Sequence, residues 1–291
     1  MNQPLQKEKK LIEEFLDENL PPENQKPDAL HKAMRYAVLG GGKKLRSLLT
    51  ISACKAVGGT FDNALQAGCA VELLHSYSLI HDDLPCMDND DFRRGKPTCH
   101  KKFGETIALL AGDALLTLAF EWVAKAKISN LDRKSEMICE LAKAAGHAGM
   151  VGGQVVDIES TGTYSSTETL QFIHQHKTAD LISAAVVIGG IAGNANINQI
   201  ELLRKFGINL GLAFQYIDDI LDCTESSETI GKTAGKDIAA GKITAASVFG
   251  ITKAKEFAEK YKTLSINTLI DAGWERSNLS EIANFVIGRS F

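Results

Sequence analysis

The sequence predicts an all-α protein, on three observations. All six prolines lie at or before Pro97, so Thr98 to Phe291 contains none. Proline costs about 3 kcal/mol in a helix interior, and its absence over so long a stretch rich in Ala, Leu, Ile, Lys and Glu favours helices. Apolar residues recur at helical spacing, while no run alternates as a strand does and no hairpin dipeptide sits between β-branched runs.

Apolar periodicity places the first helices at 6–18, 28–38, 44–57 and 61–84. The third opens after Gly40-Gly41-Gly42, and the fourth must end or kink near Pro85. Helices follow at 104–127, 134–152, 167–176, 178–193 and 198–223, then at 243–262, 264–271 and 278–287. Residues 105–123 and 178–193 are apolar nearly all round, which suits the centre of a large bundle. No Ser/Gly/Pro-rich linker and no repeat of fixed period interrupts the chain, so residues 1–291 read as a single domain.

Composition narrows the function. Hydrophobic residues make up 44% and charged residues 23%, as in ordinary globular proteins, and a net charge of −4 exerts no global pull on nucleic acid. An anionic ligand must be held by local basic clusters. The six cysteines form no CxxC motif and read as reduced thiols, which points to a cytoplasmic protein. Met1 to Glu14 lacks the apolar core of a signal peptide, and no uncharged apolar run reaches the roughly 18 residues of a membrane span.

Two aspartate clusters sit in strongly apolar helical surroundings: Asp82-Asp83 with Asp88, and Asp218-Asp219 with Asp222. Buried carboxylates are costly unless paired. On a helical wheel Gln215, Asp218, Asp219 and Asp222 fall at i, i+3, i+4 and i+7, which is one face. The first cluster differs, because a continuous helix would set Asp88 about 120° from Asp82. A break at Pro85 lets the chain fold Asp88 back, with Asp90 and Asp91 on the same loop. Either cluster alone would read as a solvated acidic helix end. Together they suggest two walls of a cavity holding a hard cation, Mg2+ or Mn2+, with a phosphate-bearing substrate.

Basic groups answer the acids. Gly40-Gly41-Gly42-Lys43-Lys44-Leu45-Arg46 opens a helix and can face an anion, although it lacks the spacing of a Walker loop. Gly231-Lys232-Thr233 is equally short of that motif. Arg93-Arg94-Gly95-Lys96 directly follows the first cluster and can clamp phosphate oxygens. Lys177-Thr178, Lys232, Lys236 and Lys242 extend the set. His75 shares a helix face with Asp82 and is as open to a ligand role as to a core one.

In this order the motifs resemble the trans-isoprenyl diphosphate synthases, in particular short-chain bacterial farnesyl diphosphate synthases. They are Gly41-Gly42-Lys43-Lys44-Leu45-Arg46, Asp82-Asp83-x4-Asp88, Arg93-Arg94-Gly95, Gly112-Asp113, Gly152-Gly153-Gln154, His176-Lys177-Thr178 and Phe214-Gln215-x2-Asp218-Asp219-x2-Asp222. The resemblance implies an all-α isoprenoid-synthase-type bundle around a deep central cavity, usually a homodimer. It implies Mg2+ held by Asp82, Asp88 and Asp218, with Asp83, Asp219 and Asp222 completing the metal set. Arg93, Lys177, Thr178, Gln215, Lys232 and Lys242 would surround the allylic diphosphate, and Lys177, Thr178 and Gln215 would face the reacting carbons. Lys43, Arg46, His75 and Arg94 would bind isopentenyl diphosphate, and Arg289 would close over it.

The resemblance also bears on product length. Tyr77, beside Ser78, stands five residues before Asp82, about 7.5 Å back along the helix. In the family an aromatic there floors the cavity, which implies farnesyl diphosphate. Leu84-Pro85-Cys86-Met87-Asp88-Asn89-Asp90-Asp91 and Gly153-Gln154-Val155-Val156-Asp157-Ile158 also look like plant-type geranylgeranyl synthases, so a geranylgeranyl or geranyl product is the alternative. Where the family often has Thr-Tyr-Pro after the last lysine, this chain has Thr244-Ala245-Ala246. A terpene cyclase lacks this second motif, an HD-type phosphohydrolase needs more spaced histidines, and a non-catalytic subunit would commonly have lost one cluster.

Overall fold

The computed structural model describes residues 2–128, 130–162, 166–224 and 241–288. Helix α1 spans Gln3–Asn19, with the Asn2 side chain accepting from the Leu5 amide as its cap. Then come α2 (Asp28–Leu39), α3 (Leu45–Ala56) and α4 (Phe61–Asp82). A reciprocal cap between Thr60 and Asn63 starts α4, and Pro85 lies just past its end, as expected. Helices α5 (Cys99–Phe103), α6 (Glu105–Ala124), α7 (Leu131–Ala145) and α8 (Met150–Glu159) follow. After α9 (Thr167–Ile173) come α10 (Asp180–Ala192), α11 (Ile197–Thr224), α12 (Ala245–Phe249), α13 (Ile251–Asp271) and α14 (Asn278–Ile287). The all-α expectation holds.

The centre is α10, buried from Leu181 through Ala192 and packed on α3, α4, α7 and α11. One set of buried side chains runs from Leu5 in α1 to Val286 in α14. The other helix expected at the centre, α6, is not there. It packs on α4 through Ala108, Ala111, Gly112 and Leu115, but Leu109 and Leu110 are 45% and 47% exposed. Among the described residues it is the one helix long and apolar enough to cross a membrane, by length and composition alone.

Four local differences from the expected elements have physical causes. The helix expected at 134–152 breaks at Gly146–Gly149, where Gly149 adopts φ −124°, ψ −128°. The break expected at 263 falls instead at Gly250, whose φ of 77° ends α12 and leaves α13 continuous. The helices expected at 167–176 and 178–193 form one rod, joined by a π-helical turn at His174–Ala179. Residues 92–97 form a small antiparallel hairpin, pairing Phe92 with Pro97 and Arg93 with Lys96. Its turn residues Arg94 and Gly95 have φ of 53° and 72°, the paired positive values of a type I′ turn.

Candidate active site

The loop after α4 folds back as Pro85 suggested. The Asp88 amide donates to the Asp82 carbonyl at 2.9 Å, while Met87 and Asn89 both donate to Leu84. Asp88 therefore lies beside Asp82 instead of 120° away. Asp218, on α11, joins them in lining a basin of about 480 Å3 with Asp90, Arg93, Asp157, Lys177, Gln215 and Lys242. Lys242 pairs with Asp88 at 2.8 Å, and Lys177 with Asp157 at 2.6 Å.

A second cavity of about 420 Å3 adjoins it, walled by Tyr77, Met87, Met150, Val151, Val155, Ile158 and Phe214. The two share Leu79, Asp82, Met87, Ile158, Lys177 and Gln215. A charged basin thus lies against an apolar arm, each of a size that suits a small molecule. The Tyr77 ring meets His81 edge-on at 5.0 Å, and a His81 ring nitrogen lies 3.0 Å from the Leu109 carbonyl oxygen. Ser78 lines the same arm.

The expected one-face stripe on α11 divides in two. Gln215 and Asp218 face the basin, whereas Asp219 and Asp222 are buried. The Asp219 carboxylate accepts from the Gln215 amide at 2.8 Å and the Ala245 backbone amide at 2.6 Å, and lies 3.0 Å from His174 Nε2. Successive helical residues are turned by about 100°, so Asp219 points into the protein when Asp218 points out of it. Asp83 divides from Asp82 in the same way. Arg93 grips it with Nε at 2.8 and 2.9 Å and Nη2 at 2.5 Å. Asp83, Asp219 and Asp222 do not line the basin: Arg93 holds Asp83, Gln215, Ala245 and His174 surround Asp219, and Asp222 is buried.

Lys177 and Thr178 lie on the π turn, a deformation that recurs at functional sites. It widens the rod where α8 approaches closely: a Cβ on Gly153 would come within 2.3 Å of the Lys177 amide nitrogen. Thr178 Oγ1 donates to Gln215 Oε1 at 2.7 Å.

The groups expected to hold the second diphosphate converge from four elements. Arg46, at the start of α3, and His75, on α4, line the inner end of the arm. Burial lowers the Arg46 pKa to about 10, and its Nε is sealed from water without a partner. Burial, then neighbouring Arg46 and Arg94, push His75 well below the usual histidine range, so it is neutral near pH 7. The hairpin turn carries Arg94 to the glycine loop, where its Nη1 donates to the Gly41 carbonyl at 3.0 Å. Lys43 is exposed over the Phe285 ring at 4.8 Å, whereas Lys44 is buried and donates to Val38 and Gly41 carbonyls. Lys232, Lys236 and Arg289 lie outside the described residues.

Among the described residues no three His, Cys, Asp or Glu side chains form a ready-made metal cage. The donor set still fits Mg2+, which takes one or two protein carboxylates and fills its shell with water and phosphate. Asp82 carries the matching strain. Burial raises its pKa and Asp88 raises it further, against Lys177, so added positive charge in the basin stabilises its ionised form. Asp157 and His174 were not singled out in the sequence. Asp157 carried a signal, as the one acid on the otherwise apolar α8 face that meets Lys177.

Residues 27–269 match the sequence model of the family described as Polyprenyl synthetase. The large subunit 1 of a heterodimeric geranylgeranyl pyrophosphate synthase, chloroplastic, from Arabidopsis thaliana is 49% identical, covering 96% of this chain and 76% of that protein. A chloroplastic geranylgeranyl pyrophosphate synthase from Catharanthus roseus is 50% identical over 91% and 75%. Among solved structures, a geranyltransferase from Helicobacter pylori complexed with magnesium and isoprenyl diphosphate superimposes with a TM-score of 0.87 at 35% identity, covering 99% and 98%. An apo FPP/GFPP synthase from Zymomonas mobilis gives 0.84 at 36%, covering 97% of each chain.

Proposed function

Because the chain belongs to the polyprenyl synthetase family, we propose that it is a prenyltransferase joining isopentenyl diphosphate head-to-tail to allylic diphosphates, with Mg2+ at the acidic basin. The observation that carries this is the shared wall. A basin with Asp82, Asp88 and Asp218 adjoins an apolar arm across six shared wall residues. That pairing suits a molecule with a diphosphate head and a hydrocarbon tail. The acting unit is the whole chain, residues 1–291.

Asp82, Asp88 and Asp218 would hold the metal, and Mn2+ could take its place. When bound there, Mg2+ would supply positive charge to balance that building on the departing diphosphate. Lys177, Arg93 and Lys242 flank that leaving group, and Lys232 joins them from outside the described residues. Thr178 and Gln215 turn oxygen dipoles toward the allylic carbon as it gains positive charge. The apolar walls of the arm exclude water that would quench it. Lys43, Arg46, His75 and Arg94 hold isopentenyl diphosphate, and Arg289 closes over it. The released diphosphate accepts the proton lost from the condensing substrate, so no protein base is required.

For the end product, the names of the relatives favour geranylgeranyl diphosphate over the farnesyl expectation. Farnesyl diphosphate is the second reading, favoured by Tyr77, whose ring borders the arm about 7.5 Å from Asp82 along the helix. Incubation with isopentenyl and dimethylallyl diphosphates and Mg2+, followed by chain-length analysis, decides between C20 and C15. Absence of any chain growth in the folded protein overturns the prenyltransferase reading. In either case Tyr77→Ala is expected to shift the product distribution to longer chains, and an unchanged distribution removes Tyr77 as the floor.

The homodimer expectation is proposed on one open apolar surface. It is formed by Leu109 and Leu110 on α6, 45% and 47% exposed, on the most apolar of the long outer helices. Sedimentation is expected to give twice the chain mass, and a monomer at micromolar concentration argues against it. Both acidic clusters are intact, so a non-catalytic subunit has no support. A cytoplasmic location remains the proposal for this chain, while the plant relatives are named chloroplastic.

A further inference from the structure

We propose that His174 is a positioning residue for the reaction, acting through Asp219 on Gln215 and Thr178. This rests on the prenyltransferase reading above. His174 opens the π turn and is 2% exposed, with its ring edge-on to Tyr216 at 4.7 Å. Its Nε2 lies 3.0 Å from Asp219 Oδ2, which also accepts the Ala245 amide at 2.6 Å. Asp219 Oδ1 accepts from Gln215 Nε2 at 2.8 Å, and Gln215 Oε1 accepts from Thr178 Oγ1 at 2.7 Å.

Donor and acceptor chemistry fixes every orientation in this chain. Asp219 accepts the Ala245 amide on Oδ2 and Gln215 Nε2 on Oδ1, so with the carboxylate as acceptor the His174 proton belongs on Nε2 and the Gln215 NH2 is turned toward Asp219. The Gln215 oxygen then faces Thr178 and the cavity. Thr178 has one proton and gives it to Gln215, which leaves its lone pairs for the arm. Both residues therefore present the negative ends of their dipoles where an allylic cation would form. If the Gln215 amide were flipped, NH2 would face the arm and Thr178 would lose its acceptor. The network also ties three segments together: the π turn, α11 and the start of α12. A preorganised dipole needs that rigidity, since it must not reorient during the reaction.

The test compares His174→Leu, which removes the donor, with His174→Gln, whose Nε2 reaches about as far as the imidazole Nε2. Turnover of His174→Leu is expected to fall by about 10- to 100-fold, as misplaced catalytic groups do. The KM for isopentenyl diphosphate stays within about twofold, because the Arg46–His75 end is untouched. His174→Gln restores most of the rate. Equal rates in His174→Leu and the wild type, or equal loss in both variants, overturn the proposal. A second readout needs no substrate: the Gln215 side-chain amide resonances, assigned by their loss in Gln215→Leu. They are expected to shift and broaden in His174→Leu and to recover in His174→Gln. If the wild type proves inactive on allylic substrates, the prenyltransferase reading fails, while the resonance test still decides whether His174 orients Gln215. Should His174→Leu fail to fold, His174→Asn replaces it, since its amide is too short to reach Asp219.

Discussion

Asp218→Ala is expected to lower turnover by about 1,000-fold or more while leaving the fold intact, and Asp82→Ala to do the same. The reason is placement. Asp218 and Asp82 are half-buried and line the basin from different helices, Asp218 on α11 and Asp82 at the end of α4. Each carboxylate lies at the cavity wall and not among the buried core side chains, so the helices are expected to keep their packing without it. What is lost is the charge that balances a divalent cation beside a diphosphate. The check is a rate measurement with saturating Mg2+ on variants shown to be folded by circular dichroism and thermal melting. A folded Asp218→Ala with near-wild-type turnover would remove the basin from the mechanism. The adjacent Asp219→Ala is a control of opposite kind. It deletes the acceptor of three segments and is expected to lower the melting temperature as well as the rate.

That contrast marks where the sequence was legible and where it was not. The apolar period and the missing prolines sufficed for the helices, because burial of one helix face dominates their stability. The fold-back of Asp88 was readable from Pro85, since a proline's effect on the backbone is local. The division of roles within each Asp-Asp pair was not. Periodicity puts Asp218 and Asp219 on one broad face, but 100° of rotation separates a cavity wall from the protein interior, and only the neighbouring elements decide which is which. Asp219 is settled by His174 and Ala245, and Asp83 by Arg93, all brought in by tertiary folding. The π turn was equally hidden, because sequence periodicity cannot separate it from a break between two helices. The hairpin at 92–97 escaped because its strands are two residues long and its turn places Arg94 at positive φ, where glycine or asparagine is usual.

The arginine that grips Asp83 makes the second large prediction. Arg93→Ala is expected to cost stability as well as activity, by about 3 kcal/mol, because it leaves a buried carboxylate without its partner. The Asp83 side chain is only 4% exposed, and all three of its short contacts with Arg93 vanish together. The loss should depend on pH in a definite direction. Burial already raises the Asp83 pKa above 3.8, and hydrogen bonding to Arg93 pulls it back. Without the guanidinium the folded-state value climbs further. A carboxyl whose folded pKa lies above its unfolded one favours the folded state most when both are protonated, and loses that advantage as pH rises through the folded value. The stability gap to the wild type is therefore smallest in acid, near the ordinary carboxylate range, and widens toward neutral pH. Asp83→Asn separates this effect from phosphate binding. It keeps Arg93 in the chain and removes the buried charge, so it should lose less stability than Arg93→Ala. Denaturant melts of the two variants at pH 4.5 and 7.5 test this directly. A deficit for Arg93→Ala that shrinks on going to neutral pH would mean that the Asp83–Arg93 pair does not hold the hairpin to α4.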